Sequence, residues 1–326
     1  MKLLLKLSLL LSLFVGLTVG RTAGLLQELR EKSGGDSGKA SAAPSIAAYD
    51  EPQKIGEITN ASLTELSGIT HSRTGRGLWW VHNDSGDQAR IYVINTKGTL
   101  LGRFAVTGAR NRDWEDLAIG PGRDGKPALY IADIGDNNRR RDDLTLYRVK
   151  EPDLSKGVKS GETEAAEAFR FRYPDGHHDA EALLVDPKSG RPYIVTKTFA
   201  PPCGVYRFPL PLDPNKKVTL EKVSGRGAEQ LSQLMLVTGG AASPDGQRAV
   251  VRTYLGAYEL VRTKQGGFES LFDAMPVPVR LAPEKQGEAI CYAPDGKSIL
   301  TTSEQIPAPI YQIKRLGGPG QIRRPR

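Results

Sequence analysis

A tyrosine returns five times along this chain, each time inside a short apolar segment: RIYVIN, LTLYRVK, GVYRFPL, AYELVR and PIYQIK. Tyr92, Tyr147, Tyr206, Tyr258 and Tyr311 stand 55, 59, 52 and 53 residues apart, a spacing in the range of one propeller blade per repeat. A chain with that period folds as an array of like units. The tyrosine stripe, being periodic, reads most simply as packing between them.

Each tyrosine strand has companions. Upstream lies a strand ending in polar residues (GLWWVHND, ALYIADIGD, RPYIVTKT, RAVVRTY, KSILTTSE), introduced by a turn of Gly, Pro and Asp; together they make a hairpin. Before it sits a short apolar strand, LSGIT, EDLAIG, EALLVD, GGAAS or EAICYA. After the first four tyrosines comes LLGRFAV, EAFRFRY, VTLEKVS or FESLFDA. The fifth unit lacks its last strand, and KIGEITNA, Lys54 to Ala61, has the length and pattern to supply it. Such closure removes free sheet edges. The chain is therefore expected to be all-β, a five-bladed β-propeller whose last blade is completed by the N-terminal strand. Six blades stay open if the stretch from Lys150 to Ala180 hides further strands.

The repeat absorbs residues 54–316 into one domain. Ahead of it, MKLLLKLSLLLSLFVGLTVG carries lysines, then an apolar run, then small residues, and reads as a secretory signal over residues 1–24. Lys6 leaves the run shorter than the roughly 20 residues of a membrane span. The expected location is secreted or periplasmic. Residues 25–53 read as a flexible spacer and 317–326 as a basic disordered tail. The formal net charge of +8 belongs partly to leader and tail, and without a reader motif no nucleic-acid partner is expected. Cys203 and Cys291 fall in different units and are expected as buried, unpaired thiols, since a bridge needs Cα atoms within about 7 Å. A disulfide is the alternative in an oxidising compartment.

Pro121, Pro187, Pro244 and Pro294 each lie six residues after a shared position. That position holds Glu115, Glu181, Thr238 and Glu288, with Glu65 as the counterpart in the first unit. The innermost strand of a propeller lines its channel, so these side chains converge. Carboxylates crowded into one volume raise each other's pKa unless a cation sits among them. Oxygen donors, with only four histidines in the chain and none at a zinc spacing, point to Ca²⁺, or to Mg²⁺. The alternative is that each glutamate locks the ring through the neighbouring blade's backbone.

In a four-stranded blade, the turn entering the first strand and the turn between the second and third open on one face, and here both sets are polar. That mouth gathers Asp84 and Asp136 from NDSGD and DIGDN, loops whose other reading is plain Asx and glycine turn chemistry. It also gathers Lys197, Arg252, Asp113, Asp179, Tyr254, Glu304 and the pair His177–His178, of which at most one faces the mouth. A metal on one side and an anionic group on the other would suit an ester or phosphate. A GxSxG elbow, a P-loop and a dinucleotide fingerprint are all missing.

On ELSGI, NDSGD, DWEDLAI, DAEALLV and GEAICYAPDG, the chain resembles exported bacterial propellers of the phytase-like, esterase-like group. It is also similar to the calcium-associated propellers related to the gluconolactonase and phytase rings. The resemblance covers Lys54 to Leu316 and implies either calcium-dependent phosphate or ester hydrolysis or a ring of another activity. Against the phytases proper the chain is a blade short.

Two functions follow. One is a monomeric binding or scaffold module with a structural cation, taking a small polar or anionic ligand, or a protein partner, on the mouth face; it would not span a membrane. The other is a cation-dependent hydrolase of a small ester, lactone or phosphate. There Glu65, Glu115, Glu181 and Glu288 hold the metal with Asp84 or Asp136, Lys197 and Arg252 fix the anion, and His178 moves protons.

Overall fold

The computed structural model describes residues 49–262 and 266–316; the expected signal segment, the basic tail and most of the spacer lie outside them. Five sheets make a five-bladed β-propeller. Blade 1 runs outward through Leu66–His71, Leu78–Asn83, Arg90–Asn95 and Leu100–Ala105. Blade 2 uses Trp114–Pro121, Pro127–Asp133, Thr145–Lys150 and Glu167–Arg172. Blade 3 uses Asp179–Val185, Pro192–Lys197, Val205–Arg207 and Glu221–Lys222. Blade 4 uses Val237–Ala242, Arg248–Thr253, Gly256–Val261 and Val277–Val279.

Blade 5 has Gly287–Tyr292, Ser298–Ser303 and Ala308–Lys314, and its outer strand is Gln53–Ile58 from the N-terminal end. Ile58 lies opposite Ala308 and Gln53 opposite Gln312. Tyr49 bridges Arg315 and donates its hydroxyl to buried Glu259 at 2.6 Å. The inner strands pack in sequence from blade 1 to blade 5, and blade 5 packs back on blade 1. They are covered on both sides, which is why they read as runs of small and apolar residues rather than as alternation.

The apolar core lies between blades. Trp80 and Ile91 of blade 1 join Leu117 and Tyr147 of blade 2 in one cluster, and Phe169 of blade 2 joins Tyr206 of blade 3 in another. Every repeat tyrosine stands in the third strand of its blade. Tyr92, Tyr147 and Tyr206 are buried, while Tyr258 and Tyr311 are half-buried. Cys203 and Cys291 are buried and unbridged.

Two segments differ from the sequence reading, and a third decides between five blades and six. FESLFDA is a 3₁₀ helix, Phe268–Asp273, and Val277–Val279 takes the outer place in blade 4. Phe268, Leu271 and Phe272 are buried at helical rather than alternating spacing, the two phenylalanine rings packing on Tyr193. VTLEKVS divides between two blades. Val218–Thr219 pairs parallel with Phe171–Arg172 of blade 2, and Glu221–Lys222 pairs with blade 3. The stretch from Lys150 to Ala180 supplies blade 2's outer strand and the two-residue strand Gly161–Glu162 alongside Phe104–Ala105 of blade 1, so among the described residues it builds no sixth blade.

Candidate functional site

All five inner strands slip register near the mouth: between Leu66 and Gly68, Trp114 and Asp116, Ala180 and Ala182, Val237 and Gly239, and Gly287 and Ile290. A bulge leaves a residue unpaired and re-aims its side chain. The residues so released are Ser67, Glu115, Glu181, Thr238 and, on blade 5, Glu288 with Ala289, all buried. On blade 1 the member of this tier is therefore Ser67, because Leu66 lies opposite Asn83 as Trp114 lies opposite Asp133. Glu65 stands two residues earlier and is exposed, the counterpart of Asp113 and Asp179. The turn after blade 1's inner strand carries no proline, so the proline count had nothing to anchor it there.

Asp84, Asp113 and Glu115 bring one carboxylate oxygen each within 4.8 Å of one another. The Asp84 backbone N–H donates to the Glu65 carbonyl at 2.7 Å, which ties the NDSGD loop to the entrance of blade 1. Gly135 of the DIGDN loop closes the cluster from below. A Cβ there would run into Glu115 Oε1 and come within 2.5 Å of Asp113 Oδ2, and the N–H groups of Ile134 and Gly135 both donate to the Asp113 carbonyl at 3.2 Å. A side chain at position 135 would occupy the space between the acids.

The electrostatics follow from burial and crowding. Burial, then Asp113, pushes the Asp84 carboxyl up to about 7. Burial, then Glu181 and Asp84, holds Glu115 well above the carboxylate range. Glu304, beside Glu288 and Glu65, rises to about 8, mainly by burial. Glu181 is also raised by burial although Lys197 pairs with it. Burial works against the Lys197 charge, but Glu181 and Glu288 outweigh it and hold its pKa above the ordinary value. The ammonium lies 5.2 Å over the Tyr254 ring. The Tyr254 hydroxyl donates to Glu288 Oε1 at 2.6 Å, and Glu288 Oε2 is buried without a partner. Glu288 is near enough to raise Asp84 as well.

The structure thus brings Asp84, Glu115, Glu181, Glu288 and Lys197 to one mouth and places other predicted residues elsewhere. Arg252, 2% exposed, pairs with Glu284 at 2.6 Å and donates to the Ala289 and Thr302 carbonyls of blade 5. Its guanidinium fastens blade 4 to blade 5. Asp136 caps its own loop, accepting the N–H groups of Arg140 at 2.9 Å and Arg141 at 2.8 Å. His178 bonds Asp175 at 2.9 Å and Tyr206 at 3.2 Å, and Lys222 also holds Asp175. Burial pushes Asp175 upward, but these partners outweigh it and bring it down to about 2. His177 is exposed, its Nδ1 3.2 Å from the Arg141 carbonyl. Asp113 belonged to the mouth turns but not to the predicted ligands. Its signal is the pattern Asp-x-Glu, repeated at Asp113–Glu115 and Asp179–Glu181.

The ring lock uses neighbours of these acids. Asp116 is fully buried and accepts the N–H groups of Leu117 at 2.8 Å, Leu183 at 2.8 Å and Gly240 at 3.0 Å, so one carboxylate joins blades 2, 3 and 4. Ser67 donates to the Glu115 carbonyl at 2.5 Å and Thr238 to the Gly287 carbonyl at 2.9 Å. Further along the axis lies a cavity of about 20 Å³ among Ile69, Leu117, Val185, Ala241 and Cys291, room for one water.

No protein-family model and no curated protein matches the chain. Similar solved structures include a glucose dehydrogenase, at 10% identity, covering 83% of this chain and 100% of that one with a TM-score of 0.44. Myxococcus xanthus glutaminyl cyclase shows 12% identity, coverage of 82% and 97%, and a TM-score of 0.45. The Dos1 propeller shows 13% identity, coverage of 74% and 53%, and a TM-score of 0.36. The five-bladed ring rests on its own strand pairing, and no chemistry passes from these proteins to this one.

Proposed function

We propose that this chain is an exported binding propeller that holds a divalent cation at Asp84, Asp113 and Glu115 and presents it at the channel mouth to a polar or anionic ligand. The observation that carries the reading is the crowding of these three carboxylates, Glu115 buried and the two aspartates half-buried, beside buried Glu288, whose Oε2 has no partner among the described residues. The neighbouring cations are already engaged, Lys197 by Glu181 and Arg141, which acts on Asp113, by Asp133. All-oxygen donors suit Ca²⁺, with Mg²⁺ the runner-up. A bound cation would supply the positive charge that makes four ionised carboxylates compatible. Export is supported by the leader over residues 1–24, and the motifs NDSGD and DWEDLAI support a place in the phytase-like, esterase-like group.

Binding is favoured over hydrolysis because His178 and Arg252, the expected proton carrier and anion clamp, are both held by partners outside the cluster. One observation favours the hydrolase: Asp84, at about 7, has the proton affinity of a general base at neutral pH. Calorimetric titration of the chelator-treated protein with Ca²⁺ tests the cation site, and wild type without saturable binding would remove it. Turnover of chromogenic esters, lactones or phosphates by the Ca²⁺-loaded protein, abolished in Asp84→Asn, would establish the hydrolase instead.

A further inference from the structure

We propose that the ligand of this mouth is a single amphipathic anion, its charged head over the cation site and Arg139–Arg140 and its apolar chain across Phe199, Met235 and Leu255. The inference deepens the cation reading above and rests on it.

Among the described residues eight large hydrophobic side chains are exposed, and three of them share one rim: Phe199 at 63%, Met235 at 40% and Leu255 at 75%. They come from three different loops of blades 3 and 4. Backbone bonds between their chain neighbours hold those loops together, the Leu236 N–H donating to the Thr198 carbonyl at 2.9 Å and the Tyr254 N–H to the Leu236 carbonyl at 3.2 Å. Scattered exposed apolar residues are ordinary, but a joined group of them beside a polar site marks an interaction surface. Leu236 makes this junction with φ at 56°, a region costly for a bulky side chain, and such cost is characteristically kept where a ligand is bound.

Blade 4 is also where the acids stop. At the two tiers that carry Asp113 and Glu115 on blade 2 and Asp179 and Glu181 on blade 3, it carries Leu236 and Thr238. The apolar rim therefore meets the charged mouth directly, since Tyr254 precedes Leu255 in the chain and bonds Glu288. On one loop of blade 2, Arg139 and Arg140 follow Gly135, are exposed and make no ion pair among the described residues. The Arg139 N–H donates to the Asp136 carbonyl and the Arg140 N–H to its carboxylate, whereas Arg112 is already paired with Asp143. Two exposed arginines on the loop whose Gly135 meets the acid cluster, and an apolar strip on the loops of blades 3 and 4, complement an anion that carries a hydrocarbon chain.

The test compares monobutyl with monododecyl phosphate, both below micelle formation, titrated into the full chain with saturating Ca²⁺. Dodecyl phosphate is expected to bind at least ten-fold more tightly than butyl phosphate. In Phe199→Ser/Leu255→Ser the preference is expected to shrink at least five-fold, with Ca²⁺ affinity, read in parallel, reporting an intact mouth. In Arg139→Gln/Arg140→Gln both phosphates are expected to weaken together. If Ca²⁺ and butyl phosphate bind but chain length or the double serine variant changes nothing, the amphipathic ligand is overturned while the cation reading stands. Absence of Ca²⁺ binding overturns both. Binding to anionic lipid vesicles without binding of monomeric dodecyl phosphate overturns the single-ligand proposal in favour of a membrane surface.

Discussion

Tyr254 of blade 4 donates its hydroxyl to Glu288 of blade 5 at 2.6 Å, and among the described residues that bond is the one side-chain partner of a buried carboxylate whose second oxygen has none. Tyr254→Phe keeps the ring under Lys197 and removes the donor. In chelator at neutral pH it is expected to lower stability by about 1–3 kcal/mol, the range for stranding a buried polar group. Urea unfolding with an unchanged m-value checks it; no shift in midpoint would show that Glu288 is already satisfied by water.

Stability of the metal-free protein is expected to fall as pH rises. Asp84 and Glu304 ordinarily titrate at 3.8 and 4.5, and in the fold they are raised to about 7 and about 8. Between those limits the folded state binds more protons than the unfolded one, so the contribution is complete below pH ~4 and lost as pH climbs through ~7–8. Thermal melts from pH 5 to 8.5 in chelator check the slope. Ca²⁺ is expected to flatten it, and calorimetry in two buffers of different ionisation enthalpy should detect protons released on binding.

Gly135→Ala is expected to weaken Ca²⁺ affinity at least ten-fold while far-UV circular dichroism stays unchanged. The added Cβ would meet Glu115 Oε1 and Asp113 Oδ2, forcing the carboxylates apart without touching a strand. Unaltered affinity would mean that these oxygens are not the ligands.

Arg252→Ala separates fastening from binding. It leaves Glu284 buried and uncompensated and is expected to cost about 3–5 kcal/mol. The surviving folded protein should keep its Ca²⁺ affinity within a factor of about two, because the guanidinium bonds blade 5 and not the acid cluster. A large loss of affinity at unchanged stability would assign Arg252 to the site.

The ring closure has its own test. A chain starting at Tyr49 should melt within a few degrees of the longer one. A chain starting after Ile58 should expose the edge of Ala308–Lys314 and aggregate, as unpaired edges do. Size-exclusion chromatography distinguishes the two outcomes.

The blades were legible because each strand announces itself locally. Alternation around Tyr92 or Tyr147, turns such as SPDG and APDG, and the spare strand at Lys54 identify the ring without reference to anything distant. FESLFDA carries a local signal too, because Phe268, Leu271 and Phe272 stand at helical spacing even though the segment is apolar enough to resemble a strand. A proline at fixed distance marks the shared register of Glu115, Glu181 and Glu288, and where no proline marks the turn, on blade 1, the sequence points two residues out of register, to Glu65 instead of Ser67.

What the amino-acid order determined by itself was the repeat, its closure by the N-terminal strand and the side of the ring on which polar turns gather, since these depend on periodicity; that the stretch from Lys150 to Ala180 adds no sixth blade was decided by its strand pairing. Only the tertiary structure decided which of those polar residues meet. Asp84 joins Glu115 because a bulge turns one side chain inward and a glycine lets a third loop approach. Arg252 and His178 leave the cluster because nearer partners, Glu284 and Asp175, satisfy them first. Contacts between loops of separate blades are made by the ring's geometry, and no local pattern along the chain encodes them.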